Sequence, residues 1–176
     1  MTKSLQSLPL RKRVIDILIL IYLLFNLVAI TYLFDIEQLV IPDTSHFTYP
    51  AWPPRAIVDL GHWWGQTFDP LLYARPVWWR ATIWIDAILF GPYYLFAAYA
   101  FIRGRNWIRM PSIIYSSVML TNVTIILSEE IWGPHATPHL AAVVGANASW
   151  IVAPLLILWR MRREPFPPIE ARQGGV

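Results

Sequence analysis

Four long apolar segments alternate with polar, proline-rich connections along the chain. They cover about residues 14–34, 81–102, 113–132 and 140–159. Each has about 20 residues, the length that a helix needs to cross the hydrocarbon core of a bilayer. The pattern predicts an all-α integral membrane protein, in which residues 1–160 form a single bundle of four transmembrane helices.

Proline marks irregular points inside two of these segments. Gly91-Pro92 lies within the second segment and Pro154 within the fourth. A proline inside a helix removes one backbone hydrogen bond and clashes with the preceding turn, so it kinks the helix. We therefore assign structural roles to Pro92 and Pro154, and we expect kinked second and fourth helices with room for a cavity between them.

Positive charge is distributed unevenly around the segments. Eleven of the 14 Lys and Arg residues lie before the first segment, between the second and third, or after the fourth. The other three are Arg55, Arg75 and Arg80. The positive-inside rule therefore predicts that both termini are cytoplasmic. Because no soluble segment combines basic with aromatic residues, we expect no nucleic-acid partner.

Two stretches outside the segments have an unusual composition. The connection from Asp35 to Trp79 contains six Pro and five Trp. A connection of this length in a small bundle is typical of a functional lid, while its Trp residues suit an aromatic belt at the membrane interface, and both can hold. Residues 161–176 form a polar, Pro-rich tail that we expect to be extended or disordered.

The sequence shows no pattern of a metal site. It contains no Cys, which excludes thiolate ligands and disulfides. His62, His135 and His139 have no carboxylates at metal-binding spacing, and they are interpreted as loop residues. We therefore expect no metal and no cofactor.

The least expected residue is Asp86, which lies well inside the apolar second segment. An ionised side chain at the centre of a bilayer costs about 2.5–3.5 kcal/mol on insertion scales. Such residues usually face the bundle interior or a cavity and have a partner there. Asp86 is therefore a candidate cavity residue, and Asp35, at the end of the first segment, lies at a similar depth.

Further polar residues recur at helical spacing in the third and fourth segments. Tyr115, Asn122 and Glu129 are seven residues apart and share one helix face, and Asn147 and Trp150 share a face of the fourth helix. Asparagine in a membrane helix often serves only to join helices. The other reading is that these five side chains surround a ligand.

Two other carboxylates have simpler interpretations. Asp16, near the start of the first segment, is close in sequence to Lys12 and Arg13 and is expected to pair with one of them. Glu130, in the last turn of the third segment, is interpreted as exposed to water at a helix end.

Two kinds of chemistry suit carboxylates and an indole around an apolar cavity. A buried carboxylate binds an ammonium group by a charge-assisted hydrogen bond, and Trp150 can add cation–π attraction. The same groups can move a carbon–carbon double bond, because an acid creates a carbocation, an indole stabilises it and a base removes a proton. The residues alone leave both possibilities open.

Three stretches carry a resemblance to a known family: Phe68-Asp-Pro-Leu-Leu, Trp107-Ile-Arg-Met-Pro-Ser-Ile-Ile-Tyr-Ser and Asn147-Ala-Ser-Trp-Ile-Val-Ala-Pro. They are similar to the EXPERA family, which includes the sigma-2 receptor (transmembrane protein 97) and the sterol isomerase emopamil-binding protein. The resemblance covers about residues 14–159. It implies a four-helix membrane fold with kinked helices, a lipid-accessible cavity and a homodimer.

The resemblance also implies roles for single residues. Asp35 and Asp86 match the two acidic residues associated with amine binding in the sigma-2 receptor, although Asp86 stands where that receptor has Glu. Tyr115 matches a tyrosine of its cavity, and Asp69 matches a structural aspartate of its loop.

The match to the isomerase is incomplete. Asn147 and Trp150 match residues of its last helix, and Glu129 matches an acidic residue at the end of its preceding helix. Asn26 and Ile30, however, stand where the isomerase has a His and a Glu. The usual acid–base pair is therefore replaced.

The leading hypothesis is a membrane protein that binds a sterol or another lipophilic, in particular cationic, small molecule under the 35–79 connection. The alternative is an isomerase acting on a sterol-like or terpenoid-like substrate through a carbocation, with Asp86 and Glu129 as catalytic residues. A third class is a lipid-trafficking protein whose carboxylates only hold the bundle together. We expect the endoplasmic reticulum for a eukaryotic chain and the inner membrane for a bacterial one.

Overall fold

The computed structural model of the chain describes residues 8–167. Within that range the secondary structure is helical, without strands. Four helices are long and apolar enough to cross a membrane: α1 (Val14–Val40), α4 (Val77–Arg103), α5 (Asn106–Trp132) and α6 (Leu140–Met161). Two shorter helices, α2 (Arg55–Thr67) and α3 (Pro70–Ala74), lie in the connection between α1 and α4. The predicted four-helix membrane fold is thereby confirmed.

The transmembrane helices are irregular where the sequence predicts kinks. In α4, the wide π-helical turns of Asp86–Phe90 come directly before Gly91-Pro92, because the proline cannot donate to the preceding turn. In α6, the helix is interrupted at Ala148, one and a half turns before Pro154. A third irregularity, the π-helical stretch Asn26–Asp35 of α1, was not predicted, because it contains neither Pro nor Gly.

The main hydrophobic core fills the half of the bundle where α1 begins and α6 ends, which we call the terminal side. Ile19 and Leu23 of α1, Phe101 of α4, and Ile157 and Met161 of α6 are fully buried there. In this half, α1 packs along α4 and α5 packs along α6. The opposite half, which we call the roof side, contains the polar side chains and the cavity described below.

A buried ion-pair cluster ties α1 to α6 on the terminal side. Asp16 is only 1% exposed, and it accepts hydrogen bonds from Arg160 at 2.7 Å and 3.1 Å. Arg13 donates to the same carboxylate at 3.0 Å. The expected pairing of Asp16 with a neighbouring cation is thus confirmed for Arg13, while the contact with Arg160 joins residues too far apart in sequence to be predicted.

The start of the predicted tail is packed, not free. Phe166 is buried on the terminal side, where its ring contacts Phe101 and lies under the guanidinium groups of Arg13 and Arg160. The side chain of Asn106 accepts from the Phe166 N–H at 2.8 Å and donates to its carbonyl oxygen at 3.1 Å. The rest of the tail, residues 168–176, lies outside the described range, as do Lys3 and Arg172.

We predict that Asp16→Asn lowers the free energy of unfolding by about 3 kcal/mol, because it leaves buried guanidinium groups without a counter-charge. Thermal unfolding in detergent micelles measures the effect. Asp59→Asn is the matched control, since Asp59 pairs with Arg55 at the surface and should contribute little. Equal melting temperatures for the two variants would contradict the prediction.

Candidate functional site

A cavity of about 400 Å³ lies on the roof side of the bundle. All four transmembrane helices contribute to its wall, and the connection between α1 and α4, residues 41–76, closes it from above. We call this connection the roof. Gly61, Trp64 and Leu72 of the roof line the cavity, whereas Trp52 and Trp63 are half exposed. The roof therefore has the properties of both a lid and an aromatic belt.

Two aspartates face each other at the roof end of the cavity. Asp35 of α1 and Asp86 of α4 both line it and are less than one-tenth exposed, and the two π-helical stretches that contain them pack against each other. Among residues 8–167, neither forms an ion pair with a Lys, Arg or His side chain. The cavity thus contains a carboxyl pair that the protein leaves without a counter-charge.

The irregular stretches of α1 and α4 position this pair. Asp35 ends the π-helical stretch of α1, and Asp86 begins that of α4. Wide turns of this kind re-aim side chains and are frequent at functional sites. Gly91 permits the close approach of the two helices, because a Cβ at this position would lie 2.8 Å from the hydroxyl oxygen of Tyr32.

Hydroxyl groups bind both carboxylate oxygens of Asp86. Thr31 donates to Asp86 Oδ2 at 2.5 Å, and Tyr94 donates to Oδ1 at 3.2 Å. The hydroxyl group of Tyr94 is 3.4 Å from that of Tyr115, which is 2.8 Å from that of Tyr22. Asp86 is therefore the end of a chain of phenol groups that runs into the core.

An amide and an indole support Asp35. Gln38 Nε2 lies 3.4 Å from Asp35 Oδ1, and Trp79 Nε1 donates to Gln38 Oε1 at 2.6 Å. Gln38 and Trp79 both line the cavity and are buried. The sequence analysis missed both residues, although the three-residue spacing of Asp35 and Gln38 places them on one helix face.

A third carboxylate of the cavity wall, Glu37, is fully paired. Arg75 donates to Glu37 Oε2 at 2.8 Å, and His62 Nε2 lies 3.1 Å from Oε1. The side chain of Arg75 also donates to the carbonyl oxygens of Ile41 and Leu72. Burial lowers the pKa of Arg75, and the charge of Glu37 opposes this effect.

These contacts attach the roof to α1, and they correct one prediction. His62 is not a loop residue but a buried residue of α2. Arg75 has a φ of 47°, in the left-handed region that is unfavourable for side chains with a Cβ. Its three side-chain hydrogen bonds keep the backbone in this conformation at the end of α3.

Asp69 has the position of a structural residue in the roof. Its carboxylate accepts from the Leu72 N–H at 2.8 Å and so caps the N-terminus of α3. Burial raises the pKa of Asp69, and the hydrogen bond from Leu72 opposes this shift. Although Asp69 also lines the cavity, its hydrogen-bonding capacity is used within the roof.

Three of the predicted ligand contacts line the lower part of the cavity. They are Asn122 of α5, and Asn147 and Trp150 of α6. Trp150 Nε1 donates to Asn26 Oδ1 at 2.8 Å, which joins α6 to α1 below the cavity. Tyr115 does not line the cavity itself but stacks on Tyr93, with ring centroids 4.3 Å apart.

The structure does not bring Glu129 to the cavity. Its carboxylate turns towards the end of α5, where it accepts from the His135 N–H and lies 2.6 Å from His135 Nδ1. A Cβ at Gly133 would overlap this carboxylate, so the glycine leaves room for it. Glu129 lies two helical turns, about 10 Å, beyond Asn122 along α5, so sharing a face does not bring the two side chains to the same level.

Glu130 corrects the sequence interpretation. It is 1% exposed, not wet, and neither carboxylate oxygen has a hydrogen-bond partner within residues 8–167. The Thr137 N–H donates to the Glu130 carbonyl oxygen, and the Thr137 hydroxyl donates to the carbonyl oxygen of Phe68 in the roof. These two contacts hold the roof over this end of α5. The position of the roof could not be foreseen from the sequence of α5.

The cavity opens sideways between α1 and α6. Among its lining residues, Phe25 of α1 is 58% exposed, and Ala146 and Ser149 of α6 are exposed as well. These residues lie within the transmembrane helices. The opening therefore faces the level of the bilayer.

Comparison with known proteins agrees with this architecture. The EXPERA family (expanded EBP superfamily) matches residues 56–161. The chain is 30% identical to sigma intracellular receptor 2 of Xenopus tropicalis over 158 residues, which cover 84% of this chain and 88% of the relative. It is 27% identical to the protein of that name from Homo sapiens over 179 residues, covering 94% and 97%. The chain therefore belongs to the EXPERA family.

We predict that Arg75→Met destabilises the protein by about 3–5 kcal/mol, because Glu37 then remains buried without a cation. The exposed Arg55→Met is the control and should have little effect. Thermal unfolding in detergent measures both variants.

A double variant makes this prediction sharper. Glu37→Gln combined with Arg75→Met should recover part of the lost stability, because removing both charges leaves no unpaired ion. If the double variant is less stable than Arg75→Met alone, the ion pair is not the cause.

Proposed function

We propose that this membrane protein binds a sterol-like or other lipophilic small molecule in the roof-side cavity, and that its preferred ligand carries a protonated amine. The observation that carries the proposal is the uncompensated pair of Asp35 and Asp86. A ligand ammonium supplies the cation that the described residues do not. Charge-assisted hydrogen bonds to carboxylates are about twice as strong as neutral ones.

The contrast with Glu37 supports a cationic head group. Glu37 lines the same cavity, but Arg75 and His62 occupy both of its oxygens. A fully paired carboxylate has little to gain from a ligand cation, whereas the pair of Asp35 and Asp86 gains a counter-charge. The ammonium group is therefore directed to the two aspartates.

The rest of the wall suits an apolar ligand body. Below the carboxyl pair the cavity is lined by Phe90, Met119, Val123 and Trp150. Its volume of about 400 Å³ is within the range of small-molecule sites, which bury most of the ligand surface against apolar and aromatic groups. The opening beside Phe25 provides a route from the bilayer, where a lipophilic ligand is concentrated.

The relatives support a binding role. Their name, sigma intracellular receptor 2, describes a receptor, which implies a ligand. An isomerase has less support in the geometry, because Glu129, one of its two expected catalytic residues, is paired with His135 away from the cavity. A purely structural role does not explain why Asp35 and Asp86 are buried without a counter-charge among the described residues.

The proposal includes a membrane orientation. The cationic side chains described on the terminal side, such as Lys12, Arg103 and Arg162, favour a cytoplasmic location of both termini. The roof then faces the lumen of the endoplasmic reticulum in a eukaryotic cell, or the periplasm in a bacterium.

We predict that Asp35→Asn and Asp86→Asn each weaken the binding of a lipophilic tertiary amine by at least about 30-fold, because each removes a charged partner in a buried site. Binding of a radiolabelled amine to the purified protein in detergent measures the affinity. The control is Asp43→Asn, which changes an exposed carboxylate of the roof.

Two outcomes would contradict the proposal. Unchanged amine affinity in both Asp35→Asn and Asp86→Asn would show that the carboxyl pair does not bind the amine. Incubation with candidate sterols followed by mass spectrometry and NMR would instead support the isomerase if a double bond migrated in a manner that depends on Asp86.

We further propose that two copies associate along α5. Its outward face has a stripe of small hydroxyl residues, Ser117, Thr121, Thr124 and Ser128, each of which donates to the carbonyl oxygen four residues earlier. Small side chains of this kind allow membrane helices to approach closely. The family resemblance also implies a homodimer.

We predict that Thr121→Cys forms a disulfide-linked dimer in native membranes under mild oxidation. The chain has no Cys, so any crosslink arises from the introduced residue. Ile88→Cys, on an exposed position of α4, is the control and should remain monomeric. Crosslinking of Ile88→Cys but not of Thr121→Cys would place the interface elsewhere.

A further inference from the structure

The orientation of the Gln38 amide is fixed by its neighbour. An indole N–H can only donate a hydrogen bond, so the atom that receives the bond from Trp79 Nε1 at 2.6 Å must be the amide oxygen. The amide nitrogen then faces Asp35 Oδ1 and the carbonyl oxygen of Phe34, each at 3.4 Å. The side chains of Gln38 and Trp79 are buried, so water does not compete strongly for these contacts.

This arrangement makes the two members of the carboxyl pair unequal. The Gln38 amide nitrogen is a donor without acceptor capacity, so Asp35 Oδ1 must act as an acceptor towards it. Asp86 accepts from the hydroxyl groups of Thr31 and Tyr94, whereas Asp35 has the Gln38 amide nitrogen as its side-chain donor. An N–H donor aimed at a carboxyl oxygen stabilises the ionised form of that group.

We propose that Trp79, acting through Gln38, is a positioning residue that keeps an amide N–H against Asp35 Oδ1, which favours a negatively charged carboxyl pair, and thereby sets the preference of the cavity for a charged over an uncharged head group. This inference rests on the proposed amine-binding function. It adds a residue that determines selectivity and lies outside the carboxyl pair itself.

The indole is needed because an amide can turn end over end. Without the bond from Trp79, the Gln38 side chain can rotate so that its oxygen faces Asp35, which places two acceptors against each other. Trp79 is well suited to prevent this, since it is held in a buried apolar cluster with Leu71, Ile83 and Ile126. The rigid indole thus fixes a side chain that would otherwise have two orientations.

The test compares two ligands in three proteins. The ligands are a lipophilic tertiary amine and its isostere with carbon in place of the nitrogen. The proteins are the wild type, Trp79→Phe and the control Trp78→Phe, which changes an adjacent indole that packs against the same cluster but does not line the cavity. The measured quantity is the ratio of the two affinities.

We predict that Trp79→Phe lowers the affinity for the amine by roughly 3-fold to 10-fold, the size expected for one hydrogen bond. The affinity for the carbon isostere should stay within about 2-fold, because a neutral head group does not depend on the orientation of Gln38. Trp78→Phe should leave the ratio unchanged. A merely structural role of Trp79 would weaken both ligands equally.

A second variant tests whether Trp79 acts through Gln38. Gln38→Met removes the amide while keeping the length of the side chain, and it should lower the ratio as Trp79→Phe does. In the double variant, the Trp79→Phe change should have no additional effect on the ratio, since its effect depends on the amide. If Trp79→Phe does not fold, the ratio measured in Gln38→Met alone still tests the role of the amide.

The outcomes separate this inference from the proposed function. If the wild type binds the amine in a manner that depends on Asp35 while neither Trp79→Phe nor Gln38→Met changes the ratio, the inference is wrong and the function stands. If additive losses occur in the double variant, Trp79 does not act through Gln38. If the wild type shows no preference for the amine over the isostere, the proposed function itself fails.

Discussion

The central constraint on the structure is the burial of two carboxyl groups, Asp35 and Asp86, in the wall of the roof-side cavity. Such groups are expensive in a bilayer unless they find partners. The fold provides those partners through irregular helices: wide turns aim both side chains into the cavity, and Gly91 brings α1 close enough for Thr31 to donate to Asp86. Within residues 8–167, it provides no Lys, Arg or His side chain that forms an ion pair with either carboxyl group.

Two other buried carboxylates of the molecule, Asp16 and Glu37, form ion pairs with arginines. Asp16 is neutralised by Arg13 and Arg160, and Glu37 by Arg75. Both of these clusters join parts of the chain that are distant in sequence, α1 to α6 on the terminal side and α1 to the roof on the other. Ion pairs therefore join separate parts of the chain on both the terminal side and the roof side of the bundle. The carboxyl pair between them has no such partner among the described residues.

Much of the architecture follows from local rules. Apolar segments of membrane-spanning length predict the four helices, and Gly91-Pro92 predicts the irregularity of α4, because each of these effects acts within one helix. The interruption of α6 lies at Ala148, six residues before Pro154, which itself lies within a continuous helix. Asp86 can be recognised as a candidate cavity residue because an ionisable side chain within an apolar segment is visible in the local sequence. The spacing of Asn147 and Trp150 places both on one face of α6, and both line the cavity.

The sequence by itself determined that the chain crosses the membrane and that a carboxylate lies inside it, since hydropathy and helix periodicity are properties of neighbouring residues. Only the tertiary structure decided which side chains lie near that carboxylate and which do not. It turned Glu129 away to His135, buried Glu130 beneath the roof, and brought Gln38 and Trp79 to Asp35. These outcomes depend on how the roof folds back over the bundle, and contacts between residues far apart in sequence leave no periodic pattern to read.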